Sequence, residues 1–105
     1  MPQPPALSDA QRQAALAKAA EVRQRRAEVK ARLKMGTLTV AELLELADTD
    51  EVLGKIKVLA VLESLPGVGK VKARKLMDAV GIAESRRIQG LGVNQREALE
   101  QVTAR

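Results

Sequence analysis

The large apolar residues of this chain lie almost entirely after residue 36, and this uneven distribution limits where a packed core can form. Of the 48 apolar residues among 105, 17 are alanine and 31 are larger. Seven of the larger ones precede Gly36 and 24 follow Thr37. The core must therefore come from residues 37–105, about 70 residues, which is just enough for an independent domain.

The composition excludes several classes of protein. The chain contains no Cys, His, Trp, Tyr or Phe. Without Cys or His it has no disulfides, no thiolate or imidazole metal site and no nucleophile–histidine pair. Without aromatic rings it lacks a platform on which single-stranded bases stack. We predict a non-enzymatic protein with no cofactor, no metal and no small-molecule substrate.

The sequence shows no membrane or export signal. No apolar run approaches the ~20 residues of a membrane span. The start, Met1-Pro2-Gln3-Pro4-Pro5, lacks the basic and then apolar layout of a signal peptide. We therefore expect a cytoplasmic protein with no membrane partner.

The net charge of +5 hides a strong segregation of charge. Residues 8–35 carry eight basic and three acidic side chains, whereas residues 37–53 carry five acidic ones and no base. Residues 54–77 carry six basic and one acidic side chain, and residues 78–105 balance four against four. Two basic blocks around an acidic one indicate an acidic partner more strongly than the total charge does.

The first third of the chain is predicted to be one long basic helix. Residues 1–7 are Pro-rich and are expected to be disordered. Ser8 is a suitable N-cap and Gly36 a suitable stop for a helix over 8–36. Its thin apolar stripe consists of Ala15, Val22, Val29 and Leu33. We expect the C-terminal half to dock on the core and the N-terminal half to fray or protrude when no partner is bound; the alternative is a solvated helix with no binding role.

Short helices are predicted to follow. Thr39 and Glu42 form a capping box that begins a helix over 40–47. The next helical period is interrupted at Gly54, which predicts two short helices that meet near Lys57.

Two more helices are predicted in the last part of the chain. One runs from about Val68 to Val80 and ends at Gly81. The other is capped by Asn94. Its buried face is predicted to consist of Ala98, Leu99 and Val102. Because no run of alternating β-branched residues indicates a strand, we predict an all-α fold with five or six helices, in which 37–105 form the compact core.

The most informative motif is Leu65-Pro66-Gly67-Val68-Gly69, which resembles the hairpin of helix-hairpin-helix DNA-binding modules. Its glycines let a phosphate approach the backbone, and the N–H groups of the turn and of the next helix N-terminus carry positive partial charge. Full charges follow at Lys70, Lys72, Arg74 and Lys75. The alternative is an ordinary tight turn followed by a solvated basic face.

Further strings extend the resemblance. Residues 82–92 are predicted to be irregular and, with Arg86-Arg87 and Gly90-Leu91-Gly92, resemble the connection of a helix-two-turns-helix module. Together with the Ala-rich basic helix and the segment DEVLGKIKV at 50–58, they make residues 8–102 similar to the integration host factor family of actinobacteria, of the mycobacterial and streptomycete type.

That resemblance implies a nucleoid-associated protein that binds double-stranded DNA with little sequence preference. It also implies bending or compaction of DNA, effects on topology and transcription, and support for phage site-specific integration.

The resemblance also implies which residues contact DNA. The hairpin and the two-turn connection would contribute Gly67, Val68, Gly69, Lys70, Lys72, Arg86 and Arg87. Family members often have a third basic residue where this chain has Gln89, whose amide can bind a phosphate but adds no charge. As a second DNA-contacting element we expect the N-terminal helix, through Arg23, Arg26, Lys30 and Lys34.

Other functions remain open at this stage. The main alternative is a ribosomal-type RNA-binding protein, although the ribosomal relative of this module usually carries a long basic tail and this chain stops at Arg105. A DNA glycosylase of this kind uses an N-terminal proline followed by a catalytic Glu, whereas here Pro2 precedes Gln3. A protein-interaction domain that uses the acidic block is a further alternative. No heptad pattern is found in residues 8–35, so we expect a monomer.

Overall fold

The computed structural model describes residues 8–104, and the predicted disorder of residues 1–7 therefore lies outside the described residues. Six α-helices and one 3₁₀ helix occupy most of residues 8–104, and no strand occurs there: α1 Asp9–Met35, α2 Val40–Thr49, α3 Glu51–Gly54, α4 Val58–Ser64, α5 Gly69–Val80, the 3₁₀ helix Ile88–Gly90, and α6 Val93–Thr103. The prediction of an all-α fold with five or six helices is confirmed. Over the same residues, no helix is both long enough and apolar enough to cross a membrane.

Helix α1 begins and ends at the residues that the sequence predicts. The Ser8 hydroxyl accepts the N–H of Gln11 at 3.1 Å, and the Gln11 side chain accepts the N–H of Ser8 at 3.0 Å. This reciprocal cap satisfies two N–H groups that have no partner within the helix. At the other end Gly36 adopts a left-handed conformation with φ of 77°, which costs glycine little because it has no Cβ.

Only the C-terminal half of α1 packs on the core, as expected. Val29 and Leu33 are buried, whereas residues 9–21 are all exposed. At 1.5 Å per residue the helix is about 40 Å long, and the two shorter dimensions of the molecule are 31 and 27 Å. The helix therefore extends beyond the body on which it docks.

The core is aliphatic, and all six α-helices and the 3₁₀ helix contribute to it. Six large side chains with at most 1% exposure come from α1, α2, α4, α5 and α6: Leu33, Leu43, Leu44, Leu62, Met77 and Leu99. No polar or charged side chain is buried among the described residues. Hydrophobic burial shared between helices is therefore what joins them.

The break that Gly54 predicts lies between α3 and α4. A Cβ at Gly54 would lie 3.3 Å from the Cβ of Gln89, so the close approach of these two segments favours glycine. In the link that follows, Ile56 is buried while Lys55 and Lys57 are exposed. The break thus places two cations on the surface on either side of a core residue.

The start of α6 differs from the prediction. The helix begins at Val93, and Gly92 rather than Asn94 is the residue before it. The Gln95 side chain accepts the N–H of Gly92 at 3.1 Å. The cap therefore comes from Gln95, and Asn94 already lies in the first turn.

The predicted buried face of α6 is correct at Leu99 but wrong at Val102. Leu99 is buried and Ala98 half-buried, whereas Val102 is 44% exposed. The inward stripe runs through Gln95, Leu99 and Thr103 at four-residue intervals, which turns Val102 to the flank of the helix.

We expect Leu33→Ala to lower the free energy of unfolding by about 2–5 kcal/mol, because it leaves a cavity where α1 meets the core. The matched control is Leu16→Ala on the same helix, where the side chain is 63% exposed and the change should stay within about 0.5 kcal/mol. Urea unfolding followed by circular dichroism measures both. Equal losses would contradict the docking of α1 through its C-terminal half.

Candidate nucleic-acid interface

The hairpin between α4 and α5 presents its backbone to solvent. Gly67 and Gly69 have positive φ values of 75° and 68°, and a Cβ at either position would meet nothing within 4 Å. The N–H of Val68 donates to the carbonyl oxygen of Leu65 at 3.2 Å and closes the turn. No side-chain cap covers the N-terminus of α5 within the described part of the chain. Its first N–H groups are therefore open to an anion.

A second backbone contact fixes the connection between α5 and α6. This connection, predicted to be irregular, contains the one-turn 3₁₀ helix. The N–H of Ile88 donates to the carbonyl oxygen of Ile56, and the N–H of Val58 to that of Arg86, both at 3.0 Å. The connection is thereby held against the link between α3 and α4.

This contact places Lys57 directly opposite Arg87 in a two-residue antiparallel pairing. The two hydrogen bonds flank the pair, so it is of the non-hydrogen-bonded type, with Cα atoms typically about 4.5 Å apart. Like charges directly opposite each other in such a pair are destabilising. The fold therefore holds two cations together at a cost in stability.

Three more cations surround the pair. A groove of about 240 Å³ lies between α1, the α3–α4 link and the two-turn connection. We call it the cation groove; its lining residues are Arg26, Lys30, Lys55, Ile56, Lys57, Ala60 and Arg87. Within residues 8–104 none of its five cations forms an ion pair, and no carboxylate lines it.

Arg26 is the least solvated of these cations. Its side chain is half-buried, and its Nε is buried with no hydrogen-bond partner among the described residues. A buried donor without a partner costs free energy. An anion in the cation groove would bring negative charge close to this donor.

Helix α1 connects the cation groove to the hairpin. Arg26, Lys30 and Lys34 are spaced by four residues and therefore lie along one side of the helix. Lys30 lines the cation groove and also, with Lys34, a larger groove of about 770 Å³. We call the larger one the hairpin groove; its other lining residues are Ala31, Ala60, Glu63, Ser64, Leu65, Pro66, Gly67, Val68 and Gly69.

The structure brings together seven of the residues predicted for the site. Arg26, Lys30 and Arg87 line the cation groove, and Lys30, Lys34, Gly67, Val68 and Gly69 line the hairpin groove. Five others line neither groove. Arg23, Lys70 and Lys72 are exposed, Arg86 donates to the carbonyl oxygen of Gly90 at 3.0 Å, and Gln89 lies against Gly54.

Sequence reasoning missed Lys55 and Lys57 as site residues. Both lie in the 50–58 segment that carries the family resemblance, but nothing local indicates that this segment pairs with Arg87. An alternation of exposed cations with buried Ile56 is the one available signal, and three residues are too few to predict a strand-like pairing.

Carboxylates of the acidic block pair with cations outside both grooves. Asp48 accepts two hydrogen bonds from Arg96 at 2.7 and 3.0 Å, and these hold the pKa of Asp48 below its usual value. Asp50 pairs with Arg25, whose hydrogen bond likewise lowers the pKa of Asp50. No group of three or more acidic side chains in residues 8–104 is arranged to hold a metal ion.

Known proteins are similar to this chain in sequence and in fold. Residues 33–102 match the family of S13-like H2TH domains. The integration host factors of Mycolicibacterium smegmatis and Mycobacterium tuberculosis are 57% and 56% identical over 95 residues, which are 90% of this chain and of each relative. The integration host factor of Streptomyces coelicolor is 53% identical over 96 residues, 91% of this chain and 90% of the relative. This chain belongs to the integration host factor family.

The fold of this chain also agrees with that of a solved structure. The structure of sIHF bound to an 8 bp palindromic DNA superposes with a TM-score of 0.81 at 50% sequence identity, over 84% of this chain and 99% of that chain. The resemblance predicted from the sequence is confirmed by these relatives, and so is the helix-two-turns-helix fold. Because the relatives are host factors and not enzymes, the prediction of a non-enzymatic protein is confirmed as well.

We expect Lys57→Gln to stabilise the fold by about 0.2–1 kcal/mol at low salt, because it removes one member of a like-charge pair. The gain should shrink as salt screens the repulsion. Lys75→Gln removes the same charge from an exposed position outside both grooves and is the control. Thermal unfolding at 20 and 500 mM salt tests this; a loss of stability in Lys57→Gln at low salt would argue against the repulsion.

Proposed function

We propose that this protein binds double-stranded DNA through its phosphates, with little sequence preference, as a non-enzymatic protein of the bacterial nucleoid. The observation that carries the proposal is the cation groove, where Lys57 and Arg87 are held face to face without a neutralising carboxylate. A fold that accepts this repulsion is adapted to an anionic ligand, because the ligand relieves it.

The extent of the basic surface indicates that its ligand is an anionic polymer rather than a small anion. Lys30 belongs to both grooves, so positive charge continues along α1 from the two-turn connection to the hairpin. The open N–H groups at the start of α5 lie at the far end of this surface. A row of phosphates matches such a surface better than one phosphate does.

Family membership supports duplex DNA as the ligand. The similar sIHF structure contains an 8 bp palindromic DNA, and at 50% identity a shared binding face is the simplest expectation. Cations and backbone amides recognise phosphates, which carry no sequence information. The hydrogen bond from Arg86 to the carbonyl oxygen of Gly90 supports a contact of Arg86 with phosphate at the edge of the surface rather than readout of a base edge.

The proposed DNA-binding residues come from four segments of the chain: α1, the α3–α4 link, the hairpin with the start of α5, and the two-turn connection. The two grooves contribute Arg26, Lys30, Lys34, Lys55, Lys57, Gly67, Val68, Gly69 and Arg87. The exposed residues Arg23, Lys70, Lys72, Arg86 and Gln89 are proposed to lie at the margin of the same surface. The residues that face DNA thus come both from the long helix 8–36 and from the core region 37–105.

We further propose that this surface bends or compacts DNA. Helix α1 extends well beyond the core, and the molecule is 55 Å long in its greatest dimension. A duplex that follows both the core and the projecting helix contacts a longer surface than a straight duplex on the core alone. Effects on topology, transcription and phage integration would follow from such bending.

The direct test is a titration of labelled random-sequence duplex DNA, and of a folded RNA of equal length, followed by fluorescence anisotropy at several salt concentrations. We expect tighter binding to the duplex and a log–log salt slope of about −5, as for about six phosphate contacts. Lys30→Gln and Lys57→Gln should each weaken binding several-fold and reduce the slope by about 0.9.

Arg32→Gln is the matched control for Lys30→Gln. Arg32 is only two positions from Lys30 on α1, but its side chain faces the acidic block and lines neither groove. It should change affinity much less than Lys30→Gln does. Preference for RNA would favour a ribosomal-type function, to which the S13-like family description also points. Absence of binding to both ligands would overturn the proposal.

A further inference from the structure

Asp50 performs two structural tasks at once. Its carboxylate accepts the N–H of Val52 at 3.0 Å and so caps α3. The same carboxylate forms an ion pair with Arg25 of α1. Within residues 8–104 this is the only ion pair that joins α1 to the rest of the molecule.

The ion pair lies on the side of α1 that docks on the core. Arg25, Val29 and Leu33 are spaced by four residues and form one stripe, of which Val29 and Leu33 are buried. The two buried apolar residues of α1 are only one turn apart, and Val22 is no more than half-buried, so apolar packing alone restrains the tilt of this long helix weakly. The ion pair adds a third point of attachment one turn further toward the N-terminus.

The neighbouring stripe of α1 carries the proposed DNA contacts. Arg26, Lys30 and Lys34 each follow one residue after a member of the docked stripe, about 100° further around the helix. When the docked stripe is fixed on the core, the direction in which Arg26, Lys30 and Lys34 point is therefore fixed as well. At present it points into the cation groove and the hairpin groove.

We propose that Asp50 is a positioning residue for DNA binding: through Arg25 it fixes the rotation of α1, so that Arg26 and Lys30 face Lys57 and Arg87. This inference rests on the proposed function, because it concerns the same surface. Asp50 itself lines neither groove and touches no proposed DNA contact other than through α1.

The sign of the charge makes this inference testable. Asp50 is negative at neutral pH, since the hydrogen bond from Arg25 lowers its pKa. If only charge mattered, removing Asp50 would strengthen the binding of a polyanion. If Asp50 positions α1, removing its charge weakens binding.

The variant Asp50→Asn separates these two effects, because Asn is as good an N-cap as Asp and only the ion pair is lost. The control Glu45→Gln removes the same charge from an exposed residue of α2 that has no ion pair among the described residues. Affinity for one random-sequence duplex is measured by anisotropy over a salt series, and folding of each variant by circular dichroism.

We expect Asp50→Asn to weaken binding by about fivefold or more and to reduce the salt slope by about 1 to 2, as when one or two phosphate contacts are lost. Glu45→Gln should bind as tightly as the parent protein or more tightly. In the background of Arg25→Gln, Asp50→Asn should cause no further weakening, because the ion pair is already absent. Equal strengthening by Asp50→Asn and Glu45→Gln would overturn the inference.

A second measurement needs no DNA. The chain has no cysteine, so spin labels can be attached through Leu16→Cys on the projecting half of α1 and Glu97→Cys on α6. We expect the distance distribution between the labels to broaden or shift in Asp50→Asn and to stay unchanged in Glu45→Gln. Superimposable distributions for all three proteins would refute the positioning role. If the parent protein fails to bind DNA, the proposed function fails, while this measurement still reports whether Asp50 holds α1.

Discussion

The pairing between the α3–α4 link and the two-turn connection determines which cations lie together on the surface of this protein. Ile56 and Ile88 are almost completely buried, and two backbone hydrogen bonds join their segments. Because successive side chains of an extended segment point to opposite sides, burying the isoleucines turns Lys57 and Arg87 outward together. Core packing thus creates the like-charge pair, and the hydrophobic gain on one side offsets the repulsion on the other.

Charge is divided between two uses in this molecule. The cations Arg25, Arg74 and Arg96 pair with carboxylates, and these contacts link α1, α5 and α6 to neighbouring segments. The five cations of the cation groove have no such partners within residues 8–104. Exposed ion pairs contribute little to stability, so the pairs of Arg74 and Arg96 matter mainly because they decide which cations are left for an anionic ligand. The pair of Arg25 with Asp50 has the additional proposed role of fixing the rotation of α1.

Local signals in the sequence determined most of the fold, and long-range contacts determined what was missed. Caps and glycines act within a few residues, which is why the ends of α1 and the break at Gly54 could be predicted. The predicted start of α6 was wrong because the side chain of Gln95, not that of Asn94, caps the helix by accepting the N–H of Gly92. Both side chains are suitable for a cap, and the sequence alone does not distinguish between them. Lys57 was missed because its partner Arg87 lies 30 residues away and only tertiary structure brings them together.

The same distinction between local and long-range signals explains why the sequence predicts that α1 is a helix but does not predict its rotation relative to the core. Its propensity and caps are local, whereas its rotation depends on which stripe meets the core. Val29 and Leu33 are the buried residues of that contact and span a single turn, whereas Val22 is half-buried and residues 9–21 are exposed. A binding surface that combines α1 with the core therefore needs an attachment outside the hydrophobic core, and the acidic block supplies it. On the proposed role of Asp50, negative charge beside a surface for polyanions is a structural requirement of that surface, and we expect its effect on the direction of α1 to exceed the repulsion that it adds.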